Sequence, residues 1–123
     1  MGLSYVRSTL WAPGRPRRRR KIRFLIDSGA VYSVLPEKVW KELKLARTRT
    51  AEFTLADGTT IERGVAECVV EVAGRAGTSP VVLGGPKDEP LLGAVTLEVL
   101  GLMLNPLSRE LLPMKLVLAR IRT

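Results

Sequence analysis

The stretch FLIDSGAVYSVLP, residues 24–36, decides the fold of this chain. An apolar run ends on an aspartate, a small tripeptide containing a glycine follows, and the chain then becomes apolar again. A carboxylate at the end of a buried strand is costly, because burial disfavours its charged form unless another group shares or compensates the charge. The stretch therefore raises the question of what Asp27 meets in the folded protein.

Length and charge limit the classes of protein to consider. The 123 residues favour a single domain over residues 1–123, with an aliphatic core because only 5% of residues are aromatic. Residues 15–23, which begin with Arg15 and end with Arg23, hold seven of the 20 basic residues and no acid. This run predicts a basic loop at residues 13–21 that could attract nucleic acid, anionic lipid or an acidic protein. No aromatic residue interrupts the run, so a solvated loop is favoured over a stacking platform for single strands.

The rarer residue types exclude several kinds of chemistry. Cys68 is the one cysteine, so it cannot form an internal disulfide; it lies in an alternating apolar pattern, as a buried core residue would. These features are typical of a reducing, cytoplasmic location. The N-terminus has no signal peptide pattern. The sequence contains no run of 18 apolar residues, so it predicts no membrane span. Histidine is absent, which excludes His-based triads, and we expect neither a metal nor a cofactor.

The pattern of apolar residues predicts a mostly β domain, a small barrel or sandwich with one or two short helices. The segment EKVWKELKL after Pro36 has the periodicity of a helix, and Thr96 is the predicted N-cap of a second one that ends at Gly101. Turns are expected around Asp57-Gly58 and over residues 73–77. The predicted strands cover residues 2–11, 21–26, 31–35, 52–55, 59–66, 66–72, 80–83 and 116–121.

Three motifs together resemble one family. Leu25 to Ala30, two apolar residues followed by Asp-Ser-Gly-Ala, resembles the active-site motif of aspartic proteases, most closely the retroviral-like (retropepsin) branch. Asp57-Gly58 lies where this family has its flap, a hairpin over the active site. Gly93 closes the apolar–apolar–Gly signature and lies 66 residues after Asp27, as it does near the family's C-terminus. The similarity extends over about residues 21–105.

The resemblance implies a closed β barrel of the retropepsin type that acts as a homodimer on extended peptide or protein substrates. It makes Asp27 the catalytic residue and Ser28, Gly29 and Ala30 its support, with the Ser28 hydroxyl bonding across the dimer. Dimers of this family commonly interleave their terminal strands in a shared sheet, and the resemblance implies that residues 112–123 could supply such a strand here. The flap would include Ala56, Asp57, Gly58 and Thr59, and the packing behind the active site would come from Leu91, Leu92 and Gly93.

The chemistry explains why one such aspartate is not enough. Two carboxylates held face to face cannot both ionise, so they share a proton; one then acts as an acid and the other as a base on a bound water. The motif occurs once in 123 residues, so the second carboxylate must come from a second copy of the chain. Three alternatives stay open: an ordinary Asx turn at Asp27, a catalytically silent dimerisation or peptide-binding module of the same fold, and a basic nucleic-acid-binding β domain.

Overall fold

Short strands dominate the computed structural model, which describes residues 3–121. Within these residues lie nine strands and two helices, so the predicted mostly β class is confirmed. In chain order they are β1 (Tyr5–Trp11), β2 (Arg19–Ile26), β3 (Ser33–Leu35), α1 (Glu37–Glu42), β4 (Arg49–Thr54), β5 (Thr60–Val72), β6 (Arg75–Leu83), β7 (Leu91–Leu92), α2 (Ala94–Leu100), β8 (Leu102–Leu104) and β9 (Leu111–Pro113). None of the helices in this part of the chain is long and apolar enough to cross a membrane.

The main sheet closes into a ring. Its strands are ordered β1-β2-β7-β3-β6-β5-β4, and β1 also pairs with β5 through Thr9, Leu10 and Trp11. The long strand β5 makes this closure possible, because its first half pairs with β4 and its second half pairs with β6 and β1. Strand β4 therefore projects from the ring as one arm of a hairpin. The predicted closed barrel is confirmed, and this hairpin overhangs it.

Alternation along β5 places the core. Ala66, Cys68, Val70 and Val72 are buried on one face, while Glu67 on the other face is exposed. This arrangement follows from the period of two in a strand, which sends successive side chains to opposite faces of the sheet. The buried side chains pack against Leu10, Phe24, Leu35, Val81, Leu92 and Leu97 from the other strands and from α2.

One predicted turn and one predicted helix cap are wrong in detail. The turn expected over residues 73–77 is only Ala73-Gly74, because both residues have positive φ and the tight two-residue turn lets Arg75 pair with Val72 at once. Helix α2 begins at Ala94 with Gly93 as its N-cap, so Thr96 does not cap it. Gly101 ends α2 in the left-handed conformation with φ 67°, as predicted.

The chain ends differ most from the sequence-based expectations. The predicted strand at residues 116–121 is absent from this part of the structure; β9 (Leu111–Pro113) pairs with β8 instead and forms a separate two-stranded sheet. The first strand begins at Tyr5, and Gly2, where we expected it to begin, lies outside the described residues. Strand β3 begins at Ser33, not at residue 31, because residues 28–32 form the loop after Asp27.

The basic run is only partly a loop. We expected a loop at residues 13–21, but Arg19, Arg20 and Lys21 belong to β2, where they pair with Trp11, Leu10 and Thr9 of β1. A run of consecutive arginines gives no strand signal in the sequence, and the pairing with β1 overrides that weak local preference. The loop between the two strands is therefore residues 12–18.

Candidate active site

Asp27 follows the last residue of β2 and is held by its own backbone. Its N–H donates to the carbonyl of Leu92 at 2.9 Å, and its carbonyl accepts the N–H of Ala30 at 3.1 Å. Its side-chain Oδ1 accepts the backbone N–H of Gly29 at 3.0 Å, which is the Asx-turn bond that the sequence left open. A Cβ on Gly29 would lie 3.2 Å from this same oxygen, so glycine allows the close approach.

The side chains of this loop face outward from the chain. Asp27, Ser28 and Gly29 are all exposed, and Ala30 is half-buried. Among residues 3–121, the Ser28 hydroxyl has no hydrogen-bond partner, whereas the Asp27 carboxylate has only the bond from Gly29. The carboxylate is thus fixed in position but not enclosed, and a second surface would be needed to bury it.

The Leu91-Leu92-Gly93 segment packs directly behind this loop. Strand β7 pairs in parallel with Leu25 and Ile26, the residues before Asp27. The first N–H groups of α2 then donate into the loop, from Ala94 to the carbonyl of Ala30 at 2.8 Å and from Val95 to that of Val31 at 2.9 Å. A Cβ on Gly93 would lie 2.6 Å from the carbonyl carbon and oxygen of Tyr32, so only glycine fits between β7 and the loop.

A buried chain of hydroxyl groups ties the same elements together, and the sequence analysis missed it. The Gly93 N–H donates to Ser33 Oγ at 3.0 Å, Ser33 Oγ lies 2.6 Å from Thr96 Oγ1, and Thr96 Oγ1 lies 2.8 Å from Ser79 Oγ. Ser79 Oγ donates to the carbonyl of Pro80 at 3.1 Å, which fixes the direction of every bond in the chain. Thr96 therefore joins β3, β6 and α2 from inside the core instead of capping a helix.

The predicted flap is a hairpin between β4 and β5. Gly58 has φ +87°, which the turn requires, and its N–H donates to the carbonyl of Leu55 at 2.9 Å. Asp57 Oδ1 accepts the Thr59 hydroxyl at 2.6 Å and the Thr59 N–H at 2.9 Å. These bonds, the hydroxyl first, lower the pKa of the Asp57 carboxyl below its usual 3.8. Asp57 thus shapes the hairpin tip, and Ala56, Gly58 and Thr59 are exposed beside it.

A groove of about 460 Å³ lies between the Asp27 loop and the hairpin. Gly29, Ala30 and Val31 form one wall, and residues of the hairpin strands form the other. The sequence placed only the hairpin tip over the site, but the groove is lined by the strands behind the tip. The lining residues that sequence reasoning missed are Tyr32, Val34, Glu52, Phe53, Thr54, Leu55, Ile61, Arg63, Val82 and Asp88.

Aromatic and charged groups mark one end of this groove. The rings of Tyr32 and Phe53 meet edge to face with centroids 5.9 Å apart, and Arg49 Nη2 donates to the Tyr32 hydroxyl at 2.8 Å. The lining of the groove is not purely apolar, since Glu52, Arg63 and Asp88 also contribute to it. Alternation in β4 and β5 could have suggested Phe53 and Ile61, since both share the inward side of the hairpin.

The described part of the chain holds no cluster of three or more His, Cys, Asp or Glu side chains arranged to bind a metal. Cys68 is buried in the core, and burial raises the pKa of its thiol to about 12. The polar side chains that line the groove are the carboxylates of Glu52 and Asp88, the guanidinium of Arg63 and the hydroxyls of Tyr32 and Thr54. Asp27 itself does not line the groove; it lies just before Gly29 and Ala30, the loop residues that do.

Comparison with known proteins agrees with this geometry. The fold is similar to the solution structure of the simian foamy virus (mac) protease, with a TM-score of 0.56 and 20% sequence identity over 76% of this chain and 91% of that chain. No curated protein sequence matches the chain. The family model described as "gag-polyprotein putative aspartyl protease" matches residues 18–99, which include Asp27, the hairpin and Gly93. The chain therefore belongs to the retroviral-like (gag) aspartyl protease family.

Proposed function

We propose that the protein is an aspartic endopeptidase that acts as a homodimer, with one Asp27 from each protomer. The observation that carries this proposal is the position of Asp27, an exposed carboxylate fixed by Gly29 beside a groove that the β4–β5 hairpin overhangs. Family membership supports the reaction class. Strand β7 pairs with β2 and β3, the strands before and after the Asp27 loop, and Gly93 packs directly against that loop. The carboxylate would therefore keep its position during turnover.

The need for a second copy follows from the other carboxylates near the groove. Asp57 is at the hairpin tip and already accepts two bonds from Thr59. Asp88 Oδ2 accepts the Gly85 N–H at 2.6 Å in a separate loop. Glu52, which also lines the groove, lies on strand β4. None of the three lies in a loop equivalent to that of Asp27, whereas a two-fold dimer would bring the partner subunit's Asp27 face to face with it. The unpartnered Ser28 hydroxyl supports the same arrangement, since it is free to bond across that axis.

The exposed apolar side chains of the C-terminal segment suggest where a partner could be held. Leu116, Val117, Leu118 and Ile121 are each 68–73% exposed. A run of large exposed apolar residues is a common mark of a protein interface. The family resemblance led us to expect terminal strands in a shared sheet, and this segment is the one that we propose rearranges into such a sheet on dimerisation.

In the proposed dimer, the paired Asp27 carboxyls hold one proton between them, because two charges in close contact are unfavourable. The ionised Asp27 removes a proton from a bound water as the water oxygen bonds to the carbonyl carbon of the scissile peptide. The protonated partner donates its proton to the carbonyl oxygen, giving a neutral diol. The carbon–nitrogen bond then breaks, and the nitrogen leaves with a proton taken from a carboxyl group.

The substrate would lie as an extended strand between the Asp27 loop and the hairpin. Strands β4 and β5 offer backbone groups near the tip, and an extended peptide can pair with such groups. The lining favours a mixed sequence: Val34, Phe53 and Ile61 suit apolar side chains, and Arg63 suits an acidic one. The substrate class is therefore an unfolded or flexible peptide segment with apolar residues around the cleaved bond.

The test compares wild type with Asp27→Asn and with the matched control Glu71→Gln, whose carboxylate lies on β5 away from the groove. Each protein is incubated with a peptide library at several pH values, and sedimentation records its oligomeric state. We expect cleavage at mildly acidic pH by wild type and Glu71→Gln, none by Asp27→Asn, and a dimer for all three. A monomer at high micromolar concentration, or cleavage that survives Asp27→Asn, would refute the proposal.

A statine-type transition-state mimic separates the enzyme from a silent module of the same fold. Both would bind extended peptides in the groove, but only the enzyme would favour the mimic over the matching peptide, because the mimic's hydroxyl takes the place of the attacking water. Binding of peptide and mimic with equal affinity, together with no cleavage, would identify a peptide-binding module.

A further inference from the structure

The outward face of the β1–β2 hairpin alternates aromatic and basic side chains. Antiparallel pairing sets Tyr5 opposite Leu25, Arg7 opposite Arg23, Thr9 opposite Lys21, and Trp11 opposite Arg19. Opposed residues share one face of a sheet, so these eight side chains lie together, while Ser8, Leu10 and Phe24 between them are buried on the other face. We call the set Tyr5, Arg7, Trp11, Arg19, Lys21 and Arg23 the basic–aromatic face.

Each aromatic ring of this face carries an arginine. The guanidinium carbon of Arg19 lies 4.2 Å from the ring centroid of Trp11, and that of Arg23 lies 4.0 Å from that of Tyr5. Both distances are well within the range of a cation–π interaction. The stacks hold the guanidinium groups close to the sheet, and Tyr5, Arg19 and Arg23 are all exposed. Flat groups of this kind are the surfaces on which nucleic-acid bases stack.

A shallow depression of about 480 Å³ lies between the two stacks. Arg7, Thr9, Lys21 and Arg23 line it, and no acidic residue does. The nearest acid along the sheet is Glu71, which pairs with Thr9 from the β5 side. The loop beyond the Trp11 end adds exposed Arg15, Arg17 and Arg18, so the positive surface continues past the strands.

We propose that the basic–aromatic face binds single-stranded nucleic acid, with phosphates against Arg7, Lys21 and Arg23 and bases stacked at Tyr5 and Trp11. Positive charge alone would serve an anionic lipid or an acidic protein equally well. The paired rings and guanidinium groups favour unstacked bases, since stacking adds affinity that neither alternative ligand can gain. No aromatic residue interrupts residues 15–23, so the local sequence disfavoured this site; the rings come from β1, the neighbouring strand.

The face is separate from the proposed active site. Arg23 and Arg19 precede Asp27 by four and eight residues on the same extended strand, which corresponds to roughly 13 and 26 Å at about 3.3 Å per residue. Substitutions on the face therefore leave the Asp27 loop and the groove intact. Binding and peptide cleavage can be measured independently, and the failure of one proposal would not affect the other.

The test measures binding of a fluorescein-labelled 20-nucleotide oligothymidylate by fluorescence anisotropy across a series of salt concentrations. The variant Arg7→Gln/Lys21→Gln/Arg23→Gln removes three charges from the face. The matched control Lys38→Gln/Lys44→Gln/Lys87→Gln removes three exposed charges elsewhere, so both proteins have the same net charge. We expect the slope of log affinity against log salt to become shallower by about 2 in the first variant, since each phosphate contact contributes about 0.7 for single strands. The control should match wild type.

Two further measurements test the stacking. An abasic 20-mer of equal charge should bind roughly tenfold more weakly than oligothymidylate, because it has no bases to stack. In a Trp40→Phe background, Trp11 is the one remaining tryptophan, and oligothymidylate should quench its fluorescence. This readout keeps Trp11 in place. The Trp40→Phe background loses the hydrogen bond from Trp40 Nε1 to the carbonyl of Gly84, so circular dichroism first checks that it is folded.

Three outcomes would overturn the proposal. Equal losses in the two triple variants would show that only net charge matters. Equal affinity for oligothymidylate and the abasic strand, without quenching, would show that bases are not contacted. Binding of phosphatidylserine vesicles or polyglutamate as tight as that of oligothymidylate would identify the face as a general anionic surface.

Discussion

Replacing Thr96 with valine tests the buried hydroxyl chain behind the Asp27 loop. Thr96 Oγ1 accepts from Ser33 and donates to Ser79, and all three residues are buried. Valine has nearly the same shape but cannot hydrogen-bond, so Thr96→Val removes two bonds without opening a cavity. Ser33 then keeps the bond from Gly93 but has no acceptor for its own hydroxyl hydrogen.

The expected magnitude follows from these contacts. Each lost bond costs about 1 kcal/mol net, and leaving the Ser33 hydroxyl unsatisfied raises the cost further. The added methyl of valine returns up to about 0.8 kcal/mol of apolar burial. We therefore expect Thr96→Val to lower the free energy of unfolding by about 2 kcal/mol, which corresponds to a fall in Tm of roughly 6–10 °C for a domain of this size.

Urea unfolding measures this loss, with every variant at the same protein concentration because the proposed dimerisation would make stability depend on concentration. Thr78→Val is the matched control: Thr78 is the exposed neighbour of Ser79 on β6, and its substitution should change stability by less than about 0.5 kcal/mol. The double variant Thr96→Val/Ser79→Ala should lose about 1 kcal/mol less than the two single losses together. A Thr96→Val loss as small as the control's, or strict additivity, would refute the hydroxyl chain as described.

Three further predictions follow from single contacts. Gly93→Ala should destabilise by at least about 3 kcal/mol and abolish peptide cleavage, since its Cβ would meet the Tyr32 carbonyl at 2.6 Å; circular dichroism melts and the peptide assay measure both effects. The Asp57 carboxyl should titrate below 3.8 by NMR and rise toward that value in Thr59→Val. Because its folded pKa is lowered, its contribution to stability is present above 3.8 and is lost as pH falls through the folded pKa. Cys68 should react with a thiol reagent only after unfolding, and stability should decrease as pH rises from 9.0 toward 12, since its folded pKa is raised to about 12.

Local patterns predicted much of the fold and part of the candidate site. The alternation of residues 66–72 fixed which face of β5 is buried, and Asp57-Gly58 marked the hairpin. The order of Asp27, Asp57-Gly58 and Gly93 was enough to indicate the family that the comparison then established. These features depend on neighbours in the chain, where side-chain period and turn geometry act directly.

The sequence by itself determined most of the longer strands, the turn after Asp27 and the family. Only the tertiary structure decided that Thr96 joins Ser33 and Ser79 inside the core, that β9 pairs with β8, and that Trp11 lies beside Arg19. The physical reason is that these contacts join residues far apart in the chain, and their pairing depends on strand register and ring closure. A local pattern carries no information about which distant strand becomes its neighbour.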